Sequence, residues 1–312
     1  MVKQNSMQYS GEQQIAANQI SLNYDSFGDP QHPAMILIMG LATQMIFWDS
    51  EMCKQIAQQG FWVIRFDNRD IGKSSRMTKA KTPHGLAFML NVLLGKKLKS
   101  PYLLSDMAAD TLGLMDALNI ERAHIVGASM GGMIAQLMAI AAPQRVMSLT
   151  SIMSTTGNRS LPRASNSTLL KLMAKPAKNV DDYVKQGLTI WQILHSDFYP
   201  FDEDKIRHLL TLSWQRGLSS AGISRQLAAI LASPDRTADL EKVQVPTLVI
   251  HGENDPLVPL ACGIATAQAI ANAKLVTYKG MGHTIPVEIQ QQVLTEIVNL
   301  AQQDIELRAV SA

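Results

Sequence analysis

Two cysteines, Cys53 and Cys262, are all that the 312 residues contain. Two thiols cannot build a disulfide scaffold. Neither lies in a Cys-x-x-Cys pair or a Cys/His cluster, so no structural metal site is expected. Net charge is also nearly absent: 28 Lys and Arg against 26 Asp and Glu leave a formal +2. Basic residues never gather into a long block, so the footprint of a nucleic-acid partner is missing. Long apolar runs are lacking too. The longest, 34–42 and 86–90, fall short of the about 18 residues that a membrane span requires. The first 19 residues are polar and show no apolar core behind a basic start, so no secretory signal is visible. There is no internal repeat and no low-complexity tract. The expectation is a soluble, cytoplasmic chain.

What is present suits a folded core. Hydrophobic residues make up 46% and charged residues 17%, in a chain long enough to bury a sizeable interior. Short apolar runs predict strands at 34–39, 62–67, 124–127, 146–151, 247–251 and 274–278. Their bounding Gly, Asp and Pro residues suit strands covered on both faces. Residues 15–18 and 20–24 read as an N-terminal hairpin. Apolar spacing of three and four predicts helices at 105–118, 130–141, 260–271 and 287–302, the second stopped by Pro143. Strands alternating with helices imply an α/β fold with a mostly parallel central sheet flanked by helices.

The alternation stops between about 155 and 240. That stretch carries helical patterns, turn signals and the aromatics Tyr183, Trp191, Tyr199 and Trp214, but no convincing strand. The chain therefore reads as a core at 1–154, a helical cap at 155–240 and the rest of the core at 241–312. A second oddity is 82–98, where Leu86, Phe88, Met89, Leu90, Val92, Leu93 and Leu94 precede Lys96 and Lys97. An apolar surface of that size needs cover. It fits a lid element over a site, a packed helix, or a contact in a homodimer.

One motif carries chemistry. Gly127-Ala128-Ser129-Met130-Gly131 reads G-x-S-x-G between a predicted strand and a predicted helix, the context that gives the motif meaning. A strained strand-to-helix turn lifts a serine above the sheet and leaves no room for side chains two positions away. Ser129 is the candidate nucleophile, and a serine needs a base oriented by an acid. Of the seven histidines, His124 and His251 fall inside strand patterns and read as packed. His195 and His208 fall in the helical stretch. His283, in the glycine turn after the last strand, is the candidate base. The candidate acid is Asp255, which follows the strand 247–251, with Glu253 as its competitor. Two N–H groups would hold an oxyanion: that of Met130, and that of Leu41 in the loop after the first long strand. Arg69 and Asp70 read as a structural ion pair or a brace for the site. Trp48, Trp191 and Trp214 read as pocket lining or core.

The stretches IMGLATQMIFW, RFDNRDIGKSS, LLSDMAADTLGLMDALNI, AHIVGASMGGMIAQ, RQLAAILASPDRT, PTLVIHGENDPLVP and GMGHTIP together resemble the α/β-hydrolases. Within them the chain looks most similar to aclacinomycin methylesterase-like esterases. The resemblance implies an α/β-hydrolase fold, a Ser129–Asp255–His283 triad, oxyanion donors at Leu41 and Met130, and no cofactor. It also implies a serine hydrolase acting on a small-molecule ester. A lactonase, thioesterase, carbon–carbon bond hydrolase or perhydrolase would use the same triad, and a non-catalytic ligand receptor can share the fold. One departure stands out: Met39-Gly40 occupies the place where many of these proteins carry His-Gly.

Overall fold

A computed structural model describes residues 8–81, 90, 94, 99–172 and 177–311. Strands β1 (Gln13–Ala17) and β2 (Ile20–Phe27) form the expected hairpin, although β2 runs three residues further than its apolar pattern suggested. Asn18 and Gln19 turn the chain with φ of 46° and 64°. Two left-handed residues in a two-residue turn match the twist of an antiparallel pair. Then follow β3 (Ala34–Ile38), α1 (Ser50–Gln58), β4 (Trp62–Phe66), α2 (Leu104–Ala117), β5 (Ala123–Ala128), α3 (Met130–Ala141) and β6 (Val146–Ile152). Helices α4 (Asn166–Leu172), α5 (Val180–His195), α6 (Glu203–Arg216), α7 (Ser220–Ala232) and α8 (Thr237–Leu240) fill the gap without a strand among the described residues. The chain closes with β7 (Thr247–Gly252), α9 (Leu260–Ala269), β8 (Lys274–Tyr278) and α10 (Val287–Ser311).

The eight strands lie in the order β1-β2-β4-β3-β5-β6-β7-β8. β2 is antiparallel to both β1 and β4, and every pairing from β4 to β8 is parallel. Two apolar clusters explain why the central strands read as mostly apolar runs. Ile36, Ile38, Ile64 and Ile125 point to one face, where they meet Leu114 of α2 and Ile134 and Met138 of α3. Met35, Leu37, Val63 and Val126 point to the other, against Ile56 of α1 and Val293 and Ile297 of α10. A strand buried on both faces cannot alternate apolar with polar. β8 departs from this expectation. It is the edge strand and its residues are exposed or half-buried, so only one neighbour covers it.

Helix α1 was not legible as a helix. It is capped by Asp49, whose Oδ1 accepts the Glu51 and Met52 N–H groups at 2.7 and 3.3 Å. Its buried stripe of Met52, Cys53, Ile56 and Ala57 is short and interrupted by polar residues. Arg69 and Asp70 do not pair with each other. Arg69 binds Asp110 of α2 at 2.5 and 2.6 Å, while Asp70 binds Arg225 of α7 at 2.5 and 2.8 Å and accepts the Tyr102 hydroxyl at 2.8 Å. Trp48 is core, packed among the second cluster. Trp191 stacks on Phe47 at 4.7 Å, and Trp214 lies 5.8 Å from Tyr183. The 82–98 segment lies outside the described residues except for Leu90 and Leu94, both exposed. Among the described residues no helix is long and apolar enough to cross a membrane.

His124 on β5 is fully buried, 2.8 Å from the Ser148 hydroxyl on β6 and edge-on to Phe61. Burial, helped by the nearby Arg122 charge, pushes its pKa down from 6.5 to about 4. The unfolded chain therefore takes up this proton first as the pH falls. Its contribution to stability is intact at neutral pH and is lost on acidification between about 6.5 and about 4, an effect on the order of 3 kcal/mol. Urea midpoints measured across that range should fall more steeply for the wild type than for His124→Gln. Equal slopes would assign the acid sensitivity to other groups.

Candidate active site

Ser129 sits where β5 ends and α3 begins, with φ 55° and ψ −119°. A non-glycine residue is rarely found there, and the conformation costs on the order of 1–3 kcal/mol. The neighbourhood holds it in place. The Ser129 N–H donates to Ile152 O on β6 at 2.9 Å, and its carbonyl accepts the Ser154 hydroxyl at 2.8 Å. The glycines of the motif are space requirements. A Cβ on Gly127 would lie 2.1 Å from Gly131 O, and one on Gly131 would lie 2.0 Å from Ile38 O. The turn is thus wedged between its own helix and the end of β3.

The glycine turn after β8 carries His283 over this serine. His283 Nε2 is 2.9 Å from Ser129 Oγ, and Nδ1 is 2.7 Å from Asp255 Oδ2. A carboxylate only accepts, so the Nδ1–H donates to Asp255, which leaves Nε2 free to accept the serine hydroxyl. Asp255 follows β7. Its other oxygen accepts the Leu257 and Val258 N–H groups at 2.9 and 2.8 Å, which locks the carboxylate. Both its side chain and the imidazole are buried. Glu253 turns away, accepting the Thr277 hydroxyl at 3.0 Å on the surface. The structure thus brings Ser129, His283 and Asp255 into one run of contacts and leaves Glu253 out of it.

A second imidazole lies beside the same carboxylate. His251 Nε2 donates to Val258 O at 2.8 Å and stands 3.7 Å from Asp255 Oδ2. Burial pushes the His251 pKa down. Its Nδ1 is buried without a partner among the described residues, 2.3 Å from where a Cβ on Gly263 would lie. A proton at Nδ1 would have nothing to bond, which adds to the burial in disfavouring the imidazolium. Cys262, buried on α9, donates to Pro162 O at 3.6 Å, and burial pushes its thiol pKa up. It is no rival nucleophile, since only the thiolate reacts well.

The loop after β3 crosses directly above the serine. A Cβ on Gly40 would lie 3.1 Å from Ser129 Cβ and 3.6 Å from its Oγ. Leu41 follows in that loop, and Met130 opens α3. Among the described residues neither N–H meets an acceptor. The first N–H groups of a helix have no partner within it, and its dipole end is positive.

The remaining histidines among the described residues fall elsewhere; His84 lies outside them. His124 is in the sheet, and His32 and His208 are exposed. His195 was placed in the helical stretch with no role. It ends α5, where its Nε2–H donates to Pro200 O at 2.9 Å and its Nδ1 accepts the Thr284 hydroxyl at 2.8 Å. Beside it, Leu194 O accepts the His283 N–H at 2.6 Å. The inserted helices therefore touch the very turn that carries the imidazole. Ser154, His195 and His251 were all missed as neighbours of the site. Only His251, four residues before Asp255, left any signal in the sequence.

A family model for the alpha/beta hydrolase fold matches residues 33–288. The chain is 25% identical to rhodomycin D methylesterase of Streptomyces peucetius, over 91% of this chain and 95% of the relative. It is 27% identical to 3-oxoadipate enol-lactonase 2 of Acinetobacter baylyi, over 84% of this chain and 86% of the relative. The crystal structure of the enol-lactonase from Burkholderia xenovorans LB400 matches with a TM-score of 0.69 and 22% identity, covering 93% of this chain and 100% of that one. The mostly parallel sheet, the serine turn and a family match spanning most of the sequence lead to one conclusion: the chain is a hydrolase and belongs to the α/β-hydrolase family.

Proposed function

We propose that the protein cleaves carboxylic esters of small molecules through an acyl-enzyme, with Ser129 as nucleophile, His283 as base and Asp255 as its orienting acid. The observation that carries this reading is the unbroken run Asp255–His283–Ser129, with contacts of 2.7 and 2.9 Å. Ser129 Oγ attacks the ester carbonyl while His283 Nε2 takes the hydroxyl proton. The carbonyl oxygen becomes an oxyanion, held by the N–H groups of Leu41 and Met130. The tetrahedral intermediate collapses, the C–O bond to the alcohol breaks, and the imidazolium returns its proton to the leaving oxygen. A water, deprotonated by the same imidazole, then attacks the acyl carbon and releases the acid and the free serine. Asp255 holds the imidazole tautomer and balances the imidazolium charge.

The methylesterase relative supports an ester substrate, and the enol-lactonase relative supports a cyclic one. A lactone is an internal ester, so the same steps open it and the alcohol stays attached. We take the helices between 155 and 240 as a cap over the site, a reading supported by the Leu194 and His195 contacts to the His283 turn. A cytoplasmic setting agrees with two buried, free cysteines.

Ser129→Ala should abolish turnover of p-nitrophenyl acetate while leaving the fold intact by circular dichroism. What remains should be only the about 10³–10⁴-fold acceleration over water that binding and oxyanion donors supply. Near wild-type turnover in a clean preparation would overturn the assignment. Asp255→Asn should lower kcat by about 10⁴ through the wrong tautomer, whereas Glu253→Gln should leave it within a factor of about two, as for an exposed polar substitution. The reverse result would move the acid to Glu253. A panel of linear esters and lactones, varied separately in acyl and alcohol size, distinguishes the open-chain from the cyclic substrate.

A further inference from the structure

The loop that would supply the Leu41 N–H is held by a side chain from far along the sequence. Gln226 lies on α7 and is fully buried. Its Oε1 accepts the Ala42 N–H at 3.1 Å, and its Nε2 donates to Arg69 O at 2.8 Å. A flipped amide would set N–H against N–H and carbonyl against carbonyl, so the two partners fix its orientation. On the other side of the same peptide, Leu41 O accepts the Thr43 hydroxyl at 3.0 Å. The Leu41–Ala42 peptide is therefore gripped at both its oxygen and its N–H. Ala42 needs that grip, because its φ of 61° lies in the left-handed region that an alanine seldom adopts. The anchor beneath Gln226 is itself tied down, since Arg69 is paired with Asp110 at 2.5 and 2.6 Å.

We propose that Gln226 is a positioning residue for the oxyanion site: by holding the Ala42 N–H it fixes the Leu41–Ala42 peptide, and with it the placing of the Leu41 N–H above Ser129. The inference rests on the reading of Ser129 as nucleophile and Leu41 as oxyanion donor. It makes the inserted helices part of the catalytic geometry as well as its cover. An oxyanion donor that drifts loses interaction energy in the transition state while the ground state is little affected. The loss thus appears in kcat more than in KM.

The experiment compares Gln226→Leu and Gln226→Glu with the wild type, using p-nitrophenyl acetate turnover and the rate of Ser129 labelling by an organophosphate. Gln226→Leu should lower kcat by about 10- to 100-fold, with KM within a factor of about two. Labelling should slow in parallel, because the phosphoryl oxygen uses the same donors. Gln226→Glu gives a signature that packing alone would not. The un-ionised acid can still accept the Ala42 N–H and donate to Arg69 O, whereas the carboxylate repels that carbonyl. The guanidinium groups of the adjoining Arg69 and Arg225 are already matched by Asp110 and Asp70. The ratio of variant to wild-type kcat should therefore fall as the pH rises. If Gln226→Leu does not fold, this ratio decides alone. A kcat within twofold of wild type in the folded variants, at every pH, overturns the proposal. Loss of activity in Ser129→Ala alongside that result would show that the triad reading survives and only the role of Gln226 fails.

Discussion

Ser129 holds its backbone in a region that suits glycine, and the fold is arranged around keeping it there. The cost is met by packing: Gly127 closes on Gly131, Gly131 on the end of β3, and the Ser129 N–H and carbonyl are both tied to β6 and the residues just after it. A Cβ at either glycine would collide with main chain, which cannot step aside as a flexible side chain does. Once the turn is made, three consequences follow together. The hydroxyl stands above the strand ends, the helix α3 N-terminus faces the same space, and the loop through Gly40 passes within contact of the serine.

Buried charge pairs cross-link the segments that surround this turn. Arg65 of β4 meets Asp25 of β2 at 2.8 and 2.9 Å, across a register that sets the two residues opposite each other. Arg69 reaches Asp110 of α2, and Arg225 of α7 reaches Asp70 in the turn after β4. Arg216, at the end of α6, binds Asp67 and Glu12 and donates to Gln44 Oε1 at 2.7 Å. Gln44 in turn donates to Ser213 O and Gly217 O at 2.9 and 3.1 Å. Replacing one partner of such a pair strands a charge away from water, a loss of several kcal/mol, although the intact pair adds little by itself. These ties favour one arrangement of the inserted helices on the sheet. They join at the loops after β3 and β4, the first of which passes over the serine.

Much of this was legible because local physics wrote it into the pattern. Strands β3 to β7 read as short, mostly apolar runs because each is covered on both faces, and the glycine spacing around Ser129 reflects clashes within a few residues. The helix 130–141 was placed to the residue, since Ser129 starts it and Pro143 ends it. Other features left weaker traces. β8 looks like a buried strand in sequence but lies at the sheet edge, because exposure depends on the number of neighbours and not on composition. α1 carries a short stripe broken by Lys54 and Gln55, and its helix depends on α10 and β4 packing against it. Arg69 and Asp70, adjacent in the chain, looked like partners. They sit in a turn after β4, with Asp70 at φ 71°, and each found a counter-ion elsewhere.

By itself the sequence determined the alternation of strands and helices, the serine turn and the residue types able to act as base and acid. Each of these depends on neighbours close along the chain. Only the tertiary structure decided that Asp255 and not Glu253 reaches His283. Two carboxylates two residues apart are equivalent until β8 and its following turn place the imidazole on one side. It also decided what surrounds the site. Leu194 bonds the His283 turn across 89 residues, and Gln226 bonds Ala42 across 184. Such contacts carry no periodicity and no spacing rule, because they are set by how separate elements pack.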